Sequence, residues 1–179
     1  MGIILDMDGP DLPFIYIMCV CPFSGNVAYN KKASQIGETS NYNSRRYPAS
    51  RAVDGNTDPY LSPDHNHCAH PAGNDLTTTA WWKVDLNGSY RIYSVVIYNR
   101  NTSIHRLDGF VLSVGNSSQS DQLEQCGTHI GRVAPSASVT TSCEAVGRYL
   151  EFRRTNGTRQ PNIGGLCEVV VIGHLFISK

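Results

Sequence analysis

From Asn26 onward the apolar residues come in short runs cut off by turn signals, and no stretch holds a 3.6-residue period. Trp82-Lys83-Val84-Asp85-Leu86 alternates apolar with polar and ends in the turn dipeptide Asn87-Gly88. Ile92 to Tyr98 is β-branched and aromatic and stops at Asn99-Arg100-Asn101. Further runs are Phe110 to Val114, closed by Gly115-Asn116, then Tyr149 to Phe152, and Glu168 to Ile172. A chain that offers only short strands has to pair them side by side, so the pattern predicts an all-β fold, an antiparallel sandwich or barrel. Gly37 to His70 has few apolar positions and reads as loops laid over one end of that fold, where binding sites usually lie.

At 179 residues the chain is long enough for one domain, assigned to 25–175 with a short tail at 176–179. Lys+Arg and Asp+Glu balance at 15 each, which argues against a basic nucleic-acid binder or a polybasic membrane binder. The longest apolar stretch, Pro13 to Phe23, is too short to span a bilayer. It resembles the apolar centre of a secretory signal, although Asp6, Asp8 and Asp11 precede it where a signal carries positive charge. Residues 1–24 are therefore set apart as an atypical leader. Four well-spaced cysteines then remain, Cys68, Cys126, Cys143 and Cys167, together with sequons at Asn87, Asn101, Asn116 and Asn156. Both features point to a secreted, disulfide-bonded protein.

Three clusters could carry chemistry. Asp54-Gly55-Asn56-Thr57-Asp58 sets oxygen side chains at alternate positions, as a tight turn around Ca²⁺ would, although the rest of an EF-hand loop is missing; a plain Asx-rich turn is the other reading. Asp64 to His70 holds His65, His67 and His70 with Cys68, but an oxidised Cys68 cannot offer zinc a thiolate. Asn99 to Arg106 places two arginines just beyond a strand, and their planar forks of donors suit vicinal hydroxyls, carboxylates or phosphates; a solvated turn with one arginine paired to Asp108 is the alternative. No nucleophile elbow, zinc-protease motif, phosphate loop or dinucleotide fingerprint occurs, and no general acid/base pair accompanies the histidines, so an enzyme is not expected.

Taken in order, Asn26-Val27-Ala28, Ala52-Val53-Asp54-Gly55-Asn56, Cys68-Ala69-His70, Trp81 to Leu86, Asn99-Arg100, Gly147-Arg148-Tyr149 and Leu166-Cys167-Glu168-Val169 resemble the F-type lectins, the fucolectin family, over about residues 26–173. The resemblance implies a jelly-roll barrel related to discoidin-like domains and a site for terminal L-fucose on glycans. It assigns His70, Arg100 and Arg106 as the sugar-binding donors and Tyr60 or Leu61 as the patch under the fucose methyl group. Thr102 stands where the family pattern has Asp, and Ser103-Ile104 replaces a vicinal cysteine pair found in many members. The same fold with a changed site, binding another sugar or a protein partner, is the alternative. Arg106-Leu107-Asp108 copies part of the pattern out of place and reads as strand entry.

The resemblance also implies a structural Ca²⁺. Side-chain oxygens would come from Asp54, Asn56 and Glu168, and main-chain carbonyls from Arg51, His67 and Cys167. It implies the pairings Cys68–Cys167 and Cys126–Cys143, one of three pairings that four cysteines allow. Single-sugar sites of this kind are weak, so avidity would need a homo-oligomer.

Overall fold

The computed structural model describes residues 24–37, 47–60, 67–72, 79–155 and 163–177, so the expected leader lies outside it apart from Ser24. Among the described residues seven strands are arranged antiparallel: β1 (Gly25–Asn26), β2 (Lys32–Gln35), β3 (Trp81–Tyr98), β4 (Phe110–Gly115), β5 (Glu124–His129), β6 (Ser138–Arg154) and β7 (Glu168–Leu175). The order across the sheet is β1-β7-β3-β6-β4-β5, with β2 pairing the first half of β3. This is the all-β sandwich architecture expected from the sequence.

The long strands β3 and β6 organise the fold. Trp81–Asp85 pairs with Tyr149–Arg153, Tyr90–Tyr98 pairs with Ser138–Gly147, and the register breaks between the two blocks. Asn87-Gly88 therefore does not close a hairpin. The Asp85 side chain accepts the Asn87 N–H at 2.8 Å and Asn87 takes a left-handed φ of 60°, so the dipeptide bends one continuous strand. A second irregularity between Ile92 and Ser94 moves the inward set from Trp82, Val84, Leu86 and Ile92 to Val95 and Ile97. One added residue reverses which face each side chain meets, and the bulge keeps apolar residues inward along the whole strand.

Phe110, Leu112 and Val114 of β4, Leu150 and Phe152 of β6, and Val169 and Val171 of β7 complete the core. Trp82 sits at its centre and donates its indole N–H to the Ala49 carbonyl at 2.9 Å, which ties the 3₁₀ turn Ala49–Ala52 to the sheet. Cys126 and Cys143 are bonded across β5 and β6, and Cys68 is bonded to Cys167.

Candidate functional site

Beyond the end of β3, three segments meet. The His70 segment runs antiparallel to 163–167: Ala69 exchanges both backbone hydrogen bonds with Leu166, and the Gly164 N–H donates to the Pro71 carbonyl. The Cys68–Cys167 disulfide closes that ladder. Arg100 leaves β3 through Asn99, which is buried and donates from Nδ2 to the carbonyls of Ile104, Val133 and Ala134. Arg106 lies on the 3₁₀ turn Ile104–Leu107, which replaces the expected strand entry; β4 begins only at Phe110.

These segments bring the three expected sugar-binding side chains together. Arg100 Nη1 donates to His70 Nε2 at 3.0 Å. Arginine has no acceptor, so His70 Nε2 takes that bond through its lone pair and the ring proton resides on Nδ1. Gly165 is the floor between the arginines. A Cβ added there would stand 3.2 Å from Arg100 Cδ and 3.4 Å from Arg106 Cβ, so both stems lie against this glycine and a side chain there would press on Arg100. Arg100 Nη2 donates to Thr102 Oγ1 at 3.2 Å. Asp108 does not partner Arg100; it faces Arg132 at 3.8 Å. Tyr60, 60% exposed, belongs to a segment docked on the same loop, because the Asn101 N–H donates to the Pro59 carbonyl at 3.0 Å. Leu61, His65 and Asn156 lie outside the described residues.

Three residues support this site in roles that the sequence did not assign to them. Tyr47 stacks on the His70 ring with centroids 4.0 Å apart and planes within 10°. Asn99 holds the Arg100 loop as described above. Arg154 is fully buried and donates to the carbonyls of Ile163 and His105 at 3.1 and 3.0 Å, joining the segment under Gly165 to the turn that carries Arg106. The inward parity of Leu150, Phe152 and Arg154 along β6 was the available signal.

Burial, with Arg100 and then Arg106 nearby, pushes the His70 pKa down to about 2. The ring stays neutral while an unfolded histidine takes up a proton near pH 6.5. Stability from this group is therefore complete above about pH 6.5 and declines as the pH falls from there toward 2, by at most about 1.4 kcal/mol per pH unit. In urea melts from pH 7 to 4, the unfolding free energy of the parent chain should fall more steeply than that of His70→Gln. Parallel curves would mean that His70 is not held neutral.

Next to the disulfide, Glu168 at the start of β7 is buried and its Oε2 accepts the Gly55 N–H at 3.2 Å, while Oε1 has no partner among the described residues. Burial, reinforced by the Asp54 carboxylate, raises its pKa to about 7. The Asp54–Tyr60 segment is a chain of Asx turns: Asp54 Oδ1 accepts from Asn56 N, Asn56 Oδ1 from Asp58 N, and Asp58 Oδ1 from Tyr60 N. Asn56 Nδ2 lies 3.0 Å from His67 Nδ1, and His67 Nε2 lies 3.6 Å from Asp58. An amide nitrogen donates, so His67 carries its proton on Nε2, facing Asp58. Arg51 lies on the 3₁₀ turn that leads into this segment, and Cys167 adjoins Glu168. Two neighbouring carboxylates, one with an orphaned buried oxygen, form a donor set that fits a hard, oxygen-seeking cation. No three His, Cys, Asp or Glu side chains among the described residues are grouped for a metal, and the third histidine of the candidate zinc cluster, His65, lies outside them.

A family model described as a NedA-like, galactose-binding domain matches residues 51–152. A fucolectin of Anguilla anguilla is 33% identical over 130 residues, 70% of this chain and 78% of its own length. Fucolectin-4 of Anguilla japonica is also 33% identical over 130 residues. Among solved structures, the f-lectin from striped bass (Morone saxatilis) serum superposes with a TM-score of 0.69 at 26% identity; 87% of this chain is covered, and it spans 50% of that one. A Streptococcus pneumoniae fucose binding module superposes with a TM-score of 0.62 at 25% identity, covering 82% of this chain and 94% of the module.

Proposed function

Since this chain belongs to the F-type lectin (fucolectin) family, a family of carbohydrate-binding proteins and not of enzymes, we propose that it is a secreted, calcium-containing lectin that takes terminal L-fucose at His70, Arg100 and Arg106, and acts in innate recognition or agglutination. The observation that carries this reading is that Arg100 bonds His70 while its stem lies beside that of Arg106 at Gly165, with Tyr60 exposed next to Pro59, whose carbonyl accepts the Asn101 N–H. Fixed guanidinium forks read neighbouring hydroxyl oxygens, and an aromatic face offers apolar cover to a methyl group. Ca²⁺ would be held by the side chains of Asp54, Asn56 and Glu168 and the carbonyls of Arg51, His67 and Cys167. Its chemistry is electrostatic, joining the Asp54 loop to β7 one residue from the disulfide that anchors the His70 segment. One such domain offers one site of this kind, and a homo-oligomer would supply the several that agglutination needs.

Calorimetric titration of L-fucose, with D-galactose and mannose as controls, tests this. Saturable heat should appear with calcium, weaken after EDTA treatment, and vanish in His70→Ala and Arg100→Ala. Silence at millimolar fucose from a folded, calcium-loaded chain would overturn the fucose reading and leave the family and fold in place.

A further inference from the structure

The site contains a buried cation whose partners among the described residues are all neutral. Arg100 is 7% exposed, and among the described residues its guanidinium reaches only the unprotonated Nε2 of His70 and the hydroxyl of Thr102, while Nε has no partner. The charge next to it is another guanidinium, because the stems of Arg100 and Arg106 share the floor at Gly165. Burial and that like charge together lower the Arg100 pKa to about 10. Asp108, the nearest acidic residue in sequence, faces Arg132 instead. A charge taken out of water without a counter-charge is one of the least favourable arrangements in a protein, and an incoming anion relieves it.

Resting on the saccharide-binding reading above, we propose that the preferred ligand is an acidic sugar, one that presents a sulfate ester or a carboxylate to Arg100 where a neutral sugar would present a hydroxyl. Both groups offer paired oxygens to a planar fork, and charge-assisted hydrogen bonds of this kind are roughly twice as strong as neutral ones. Thr102 is the specificity-determining position. It is exposed, its hydroxyl occupies Nη2 without neutralising it, and a carboxylate in its place would supply the missing counter-charge from the protein itself.

The calcium-loaded chain is titrated with L-fucose, the three O-sulfated isomers of L-fucose, D-galacturonate and inorganic sulfate, at low and at high salt. At least one acidic sugar should bind about tenfold more tightly than L-fucose at low salt. That advantage should shrink as salt rises, and the order should reverse in Thr102→Asp. L-fucose binding at least as tightly as every acidic sugar would overturn this inference and leave the fucose reading intact. Acidic sugars binding while L-fucose gives no heat would support it and overturn the fucose reading. Inorganic sulfate binding as tightly as the acidic sugars would overturn it by showing an anion site without sugar recognition, and silence from every ligand would overturn both readings.

Discussion

Replacing Cys68 and Cys167 together with alanine should lower the unfolding free energy by about 4.7 kcal/mol, the value the chain-entropy model gives for a loop of about 100 residues. The two cysteines are 99 residues apart, against 17 for Cys126 and Cys143, whose removal should cost only about 3 kcal/mol by the same model. For a domain of this size the larger loss lowers Tm by roughly 10–20 °C. The effect should also reach the site, because the disulfide closes the ladder that pairs Ala69, the neighbour of His70, with Leu166. Urea melts of the two double variants provide the comparison. Equal losses from both pairs would show that the long loop is already constrained in the unfolded chain.

Arg154→Met should be nearly as damaging, and more revealing about the site. The methionine keeps the apolar stem but leaves the carbonyls of Ile163 and His105 without the donors they have now, at about 1–3 kcal/mol for each buried group. The expected loss of stability is about 3 kcal/mol. Because those carbonyls belong to the segment under Gly165 and to the turn bearing Arg106, sugar affinity should fall about tenfold or more even in the fraction that remains folded. Arg154→Lys has one point-like head group and cannot span both acceptors, so it should recover part of the stability and little of the affinity. If Arg154→Met loses stability but binds sugar as before, the residue supports the core alone and does not position Arg106.

Much of the fold was legible because β-sheet alternation is a local property. Phe110, Leu112 and Val114 face inward as their spacing predicts, and the apolar runs at 149–152 and 168–172 lie within β6 and β7. Asn87-Gly88 was misleading because a turn dipeptide suits a hairpin and a bent strand equally well; the pairing of β3 with β6 on both sides of it decides the matter. β2 (Lys32–Gln35) and β5 (Glu124–His129) have little strand propensity of their own and owe their form to the neighbours they pair with. His70, Arg100 and Arg106 could be listed from motif order, but their convergence depends on contacts far apart in sequence. The inward Arg154 went unseen because an arginine on an apolar face runs against the usual pattern of burial.

β1 pairs with β7 at Gly25↔Gly173, and Gly173 in turn lies opposite Ile92 on β3. Tyr98 lies six steps along β3 from Ile92, roughly 20 Å at the rise of an extended strand, and Arg100 lies beyond. β1 and the later part of β7 therefore lie side by side, far from the mouth of the candidate sugar site. A fluorophore, a surface tether or another domain attached at either strand would leave that mouth facing outward. Head-to-tail concatenation of copies could likewise supply several outward-facing mouths on one polypeptide without any new subunit interface.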